Sequence, residues 1–286
     1  MPKRKDPTED TPMGGTEDAG SDSDSDVSLV NVDFEMFDPQ PTHDFHGIRQ
    51  LLRQLFDSDN TLFDLTATTE LILSQPLLGT TVKTDGNESD AFAFLTVLNL
   101  SQHKEHPGVA PIAAYLSKHA NPTIRAVLND AKNTVGLILT ERLINMPPAI
   151  VPPMYKMLGE EMEWAVQEGE PYEFTHFVVV SKTYAEVASL LDDETNPTKK
   201  KGKWGAMAAK KKKNEEQVFY YHPEDEIVVQ RLGEKKVCGW KYENAGGAAD
   251  SKRAFSDMGI VPKGMMMLIP KEEFDGVVGD LEGLFK

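Results

Sequence analysis

The residues that could do covalent or metal chemistry are few. The chain has one cysteine, Cys238, in KVCGWKY, with no histidine beside it. The spacing predicts a strand there, and a lone cysteine in a strand is expected to act as a small buried hydrophobe. Histidines pair twice at i, i+3: His43 with His46 and His103 with His106. Either pair suits one helical face or a tight turn, but a zinc site needs further ligands that converge in space. The acidic runs Asp192-Asp193-Glu194 and Glu224-Asp225-Glu226 lack the alternating ligands and central glycine of a calcium loop, so solvated surface is expected. There is no G-x-S-x-G, no G-x-G-x-x-G and no G-x-x-x-x-G-K-S/T. No catalytic residue, metal site or cofactor is assigned.

Two further segments bear on chemistry. Residues 230–235, QRLGEK, begin like the Q/R-x-x-G-x-G/A pyrophosphate loop of acetyltransferases. That loop needs successive small residues so that backbone N–H groups can converge on phosphate. Here the last position is Lys235, so coenzyme binding is not expected. The other segment is basic. Lys199, Lys200, Lys201 and Lys203, then Lys210, Lys211, Lys212 and Lys213, flank the spacer WGAMAA. Lysine runs of this kind read as a nuclear-import signal, with Lys3, Arg4 and Lys5 as a second one. RNA contact and a counter-charge for an acidic body are the other readings.

The rest of the chain is strongly acidic. Net charge is −16, from 30 basic and 46 acidic residues. Without the eight lysines of 199–213 it is −24, which disfavours RNA contact and direct DNA binding. Residues 6–26 hold eight acids and no base. The segment 1–27 has too little apolar surface to fold and is expected to be a disordered acidic tail. Ser21 and Ser23 each have an aspartate three residues downstream, a pattern that suits phosphorylation by an acid-directed kinase. An unmodified solubilising tail is the alternative. No run of about 18 apolar residues marks a membrane span, and the first residues lack the apolar core of a secretory signal. A single cysteine suits a reducing compartment.

Between and around these segments the pattern predicts mixed α and β elements. Val30, Val32, Phe34 and Met36 alternate as in a strand. Phe45, Ile48, Leu51, Leu52 and Leu55 fall at helical spacing, with Asp44 as a candidate cap. A second helix is expected over LTATTELILSQ, and a hairpin follows with its turn near Asp85-Gly86-Asn87. Two short helices come next, the second with Pro122 near its start. Strands are expected over 134–142 and in FTHFVVVSKTY, QVFYYHPEDEIVVQ, VCGWKYE and GMMMLIP. Small helices are expected in SKRAFSDM and after Lys271. Residues 192–215 lack a period and are expected to form a disordered lysine-rich insertion. The whole is expected to be a single α/β (α+β) domain, 28–286, on a mixed, mostly antiparallel sheet.

The two proline pairs of LINMPPAIVPP, Pro147-Pro148 and Pro152-Pro153, raise the question of a proline-rich ligand. No two of these prolines are three apart, so a P-x-x-P ligand fails on spacing. A rigid strand-to-helix joint fits. Pro152 and Pro153 suit the first turn of a helix, where a missing N–H costs nothing. Met154, Met157, Leu158, Met162 and Ala165 then form its apolar stripe.

VNVDFEMFDPQPTHDFHGIRQLLRQLF, LINMPPAIVPPMYKMLGEEMEWA and FYYHPEDEIV resemble the BCCIP family, from about Val30 to the C-terminus. The serine-aspartate tail and basic insertion resemble its fungal branch. The resemblance implies a fold similar to a GCN5-related acetyltransferase without catalytic function. It also implies a nuclear protein that shuttles to the cytoplasm and serves large-subunit ribosome biogenesis and nuclear export. The implied partners are a basic large-subunit ribosomal protein and nuclear import and export receptors, and no membrane. Alternatives are a scaffold for cell-cycle and DNA-repair regulators, a general histone chaperone, and an acetyl-coenzyme-A-dependent N-acetyltransferase. The motifs do not identify which residues bind a partner.

Overall fold

The computed structural model describes residues 32–75, 78–186, 218–244 and 260–284. The described residues from Phe34 onward belong to one compact unit. The strands are β1 (Glu35–Phe37), β2 (Thr80–Lys83), β3 (Ala93–Asn99), β4 (Val135–Arg142), β5 (His176–Glu186), β6 (Val218–Tyr220), β7 (Val237–Lys241) and β8 (Ile260–Pro270). They form one sheet in the order β1-β2-β3-β4-β5-β8-β7, with β6 paired to β5. Every pair is antiparallel except β4 with β5, which is parallel, so the sheet is mixed and mostly antiparallel as expected.

Helices cover both faces. On one lie α1 (Phe45–Phe56), α2 (Leu65–Ser74), α3 (Ala110–His119) and α4 (Pro122–Asn129); on the other, α5 (Val151–Gln167), α6 (Pro223–Leu232) and α7 (Lys271–Leu284). A sheet covered twice needs apolar residues at every strand position, not alternate ones. The central strands obey. Phe177 and Val179 of β5 join the core under α5 and α7, while Val178 and Val180 join the core under α1 to α4. Met265, Met267 and Ile269 of β8 divide from Met266 and Leu268 in the same way. Gly136 in β4 answers to the same crowding: a Cβ there would stand 2.8 Å from Val97 and 2.9 Å from the Phe177 ring.

The proline joint is a joint. Pro147 is extended, Pro148–Ile150 make one 3-10 turn, and Pro152 and Pro153 occupy the first turn of α5. Met154, Leu158, Met162 and Ala165 are buried against the sheet.

Three expectations are corrected. Asp44 does not cap α1; its carboxylate turns back to accept the Gln40 N–H at 2.7 Å and pair with Lys83 at 2.8 Å, both charges fully buried. The strand expected from Val30 is only Glu35–Phe37; Val32 is exposed, and Val30 lies outside the described residues. QVFYYHPEDEIVVQ is a three-residue strand followed by α6, because Pro223 opens a helix whose first turn carries Glu224, Asp225 and Glu226. The small helix expected in SKRAFSDM and the lysine-rich insertion lie outside the described residues.

Candidate basic-protein interface

The parallel strands β4 and β5 pair only over Val135–Ile138 and His176–Val179, then part. The gap holds a buried charge network. Glu141 pairs with Lys182 at 2.6 Å and with His222 at 3.0 Å. The Lys182 ammonium also donates to the Gln54 carbonyl at 3.0 Å and lies 5.4 Å from the centre of the Tyr221 ring. Next to it, Arg142 holds Glu224 with two parallel hydrogen bonds, and the Ser181 hydroxyl donates to Asp225. The acidic run 224–226 is therefore not all solvated surface: Glu224 and Asp225 are buried, and Glu226 is exposed. Burial alone would raise the Glu141 carboxyl, but the His222 hydrogen bond and the Lys182 and His222 charges hold it down to about 2. Burial alone would lower His222, and the Glu141 hydrogen bond and charge raise it instead. Burial pushes Asp225 up to about 7, although His222 and Ser181 oppose the shift. A cavity of about 270 Å³ opens onto this network, lined by Gln54, Glu141, Lys182 and His222 among others. Its charged groups are committed to one another, which describes a braced joint between strands.

The sequence motifs fall elsewhere. Gln230–Lys235 lies at the C-terminal end of α6, where Gly233 (φ +73°) ends the helix and Glu234–Lys236 form a 3-10 turn. A helix C-terminus presents carbonyl oxygens, which repel phosphate. The helix that follows the parallel strand β4 begins with prolines 152 and 153, which remove amide donors from its first turn. The Cys238 thiol donates to the His119 carbonyl at 3.1 Å. His43 and His46 are exposed, and the His103 and His106 rings stand edge to face at 6.2 Å. Among the described residues, no three His, Cys, Asp or Glu side chains gather as metal ligands, and no helix is long and apolar enough to cross a membrane. Lys3, Arg4, Lys5, Ser21, Ser23 and all eight lysines of 199–213 lie outside the described residues.

What the structure does build is a charge asymmetry. Helices α1 to α4 carry four basic residues and one acidic, a formal +3. Helices α5, α6 and α7 carry three basic and eleven acidic, a formal −8. Of those eleven only Glu161, Glu224 and Asp225 are buried. Arg231 pairs with Asp280 at 2.7 Å and braces α6 on α7; Lys236 ties the 3-10 turn after α6 to α7 through Glu273. Glu160 and Glu163 of α5 and Glu272 and Asp275 of α7 are exposed.

Between α5 and α7 runs a groove of about 240 Å³. Met162, Phe177, Phe274 and Val278 supply its apolar lining; Glu160, Glu163 and Asp275 line it with carboxylates, and Lys156 and Lys271 add two cations. Gly159 sits on its wall, and a Cβ there would just touch the Phe274 ring at 3.4 Å. Beyond the groove, α5 exposes Trp164 (61%) and Val166 (39%). These residues were not singled out from the sequence. The signal was present, because Trp164 falls off the apolar stripe that buries Met154, Leu158, Met162 and Ala165.

With that geometry in place, the chain can be set beside known proteins. The BCCIP family model matches residues 29–228. Protein bcp1 of Aspergillus fumigatus is 48% identical over 296 residues, covering 100% of this chain and 99% of the relative. Protein bcp1 of Schizosaccharomyces pombe is 42% identical, covering 91% and 92%. The crystal structure of BCP1 from Saccharomyces cerevisiae shares the fold, with a TM-score of 0.60 over 93% of this chain and 94% of that one, at 24% identity. The chain belongs to the BCCIP family. The similarity to an acetyltransferase fold implied by that family does not appear among these likenesses.

Proposed function

We propose that this protein is a non-enzymatic acidic chaperone and adaptor that binds a basic large-subunit ribosomal protein in the nucleus. In this reading it supports nuclear export and assembly of the large ribosomal subunit while shuttling to the cytoplasm. Import and export receptors are its transport partners, and the lysines of 199–213, with Lys3, Arg4 and Lys5, are its import signal. The observation that carries the reading is the contrast between a −8 helical layer and a +3 layer on one sheet. A ribosomal protein free of rRNA carries exposed lysine and arginine. A carboxylate-rich face offset to one side shields those charges and yields them to a stronger polyanion, RNA. The apolar groove between α5 and α7 supplies contact that salt does not screen.

The test is affinity capture from nuclear extract at moderate salt, quantified by mass spectrometry. One basic ribosomal protein enriched near stoichiometrically, with histones at background, is the expected result. A broad set of basic proteins would make the chain a nonspecific acidic sink. Enrichment of cell-cycle and repair proteins alone would make it a scaffold.

A further inference from the structure

We propose that the outer face of α5, from the α5–α7 groove to Trp164, seats an arginine-bearing amphipathic segment of a basic partner protein. This rests on the acidic-chaperone reading and says where and how that face takes hold. Trp164 is 61% exposed on a well-formed helix beside the exposed Val166, and an indole so placed is the residue type most enriched among interface anchors. Glu160 and Glu168 lie one turn to either side of it, and Glu163 precedes it. A planar cation fits that arrangement: a guanidinium stacks on the indole face and forks its N–H donors to a flanking carboxylate. Glu160 also lines the groove, so indole and groove form one continuous surface. An apolar side chain on the same partner segment enters between Met162, Phe274 and Val278, beside the wall where Gly159 presents no side chain. Charge fixes the sign of the occupant, since Glu160, Glu163, Glu168, Glu272 and Asp275 are all exposed on or beside this face. A second copy of the chain would set these carboxylates against their own image, because a two-fold interface is self-complementary.

The experiment uses the full chain and calorimetric titration with a synthetic amphipathic peptide of arginine and leucine, alongside its lysine-for-arginine counterpart. The arginine peptide is expected to bind more tightly. Trp164→Ala is expected to weaken it about fivefold or more, and Trp164→Phe less. Gly159→Leu, which fills the groove, is expected to weaken both peptides. The comparison variant is E160Q/E163Q/E272Q/D275N. If it loses affinity while Trp164→Ala and Gly159→Leu bind as the parent does, the seat proposed here falls and the acidic reading stands. If the parent binds neither peptide, both fall. A parent that sediments as a dimer and a Trp164→Ala variant that sediments as a monomer would assign this face to a second copy and overturn the proposal. Unchanged melting temperatures separate these outcomes from misfolding.

Discussion

The two helical layers of this protein face the same sheet and solve the same packing problem. Leu52 and Leu55 of α1 are as deeply buried as Leu158 and Met162 of α5. Their outer surfaces differ in charge: with the buried Glu161, Glu224 and Asp225 left out, the helices carry a formal +3 against −5. Nothing in the packing asks for that difference. An inner stripe is dictated by the sheet it covers, whereas an outer face can change at little cost to stability. The fold therefore does not require the charge asymmetry.

The comparison can be tested first where the layers are alike. Leu52→Ala and Leu158→Ala each empty a fully buried site, one under each layer. Each is expected to cost about 2–5 kcal/mol in urea denaturation, the range for a truncated core leucine. A large cost on one side only would show that one layer is a loosely held cover rather than an equal half of the fold.

The next test concerns a difference within the acidic layer. Its buried Asp225 and the neighbouring His222 answer to pH in the opposite sense from ordinary carboxylate pairs. His222 has a raised value, so its contribution is complete below the unfolded value of 6.5 and is lost as pH climbs through the folded one. Asp225 keeps its proton in the fold up to about pH 7 but releases it near 3.8 when unfolded. Its burial therefore costs progressively more stability between those values. Glu141 works the other way and is lost only as pH falls from 4.5 towards 2. From these three groups stability is expected to be greatest at about pH 4, between the unfolded values of Asp225 and Glu141, and to decline towards pH 8. Asp225→Asn mimics the neutral acid beside Ser181. It is expected to raise stability at pH 8 by roughly 1–3 kcal/mol and to change it little at pH 4, as read from melting curves. Equal effects at both pH values would show that Asp225 is ionised in the fold.

Much of this architecture was legible in the sequence, and the failures have physical causes. The helices at 45–56, 65–74, 110–119, 122–129 and 151–167 announced themselves through spacing and through Pro122, Pro152 and Pro153. The double cover of the sheet was latent in FVVV and MMMLI, which have no polar alternation. Two errors share one cause. Asp44 and the pair Glu224-Asp225 were given the roles that acids usually take, a cap and a solvated surface. Their true surroundings are buried partners 39 residues onward at Lys83, 82 residues back at Arg142 and 44 residues back at Ser181. Local spacing carries no information about such distant pairing. The helix at 223–232 was legible, because H-P-E-D-E is a helix-start signal; the aromatic run before it drew the reading towards a strand. The acidic layer was visible only as net charge, since a chain total does not say which side of a sheet the charges occupy.

The smallest change in stability should accompany the test that separates the two faces by function. E160Q/E163Q/E272Q/D275N removes four exposed negative charges from α5 and α7 and brings the chain total from −16 to −12. Stability is expected to stay within about 0.5 kcal/mol of the parent, because these side chains stand in solvent. Affinity for a basic ribosomal protein is expected to fall about tenfold at low salt and to lose much of its salt dependence. The matched change on the other side is R53Q/K104Q, also at exposed positions, which takes the total to −18. If total charge governs binding, this variant must bind a basic protein more tightly than the parent. If the α5–α7 face governs, binding changes by less than about twofold, since the altered charges lie beyond a Debye length of roughly 8–10 Å from the partner. The two variants move net charge in opposite directions, so a uniform electrostatic attraction and a localised interface give different patterns. Only the localised interface leaves the second variant silent.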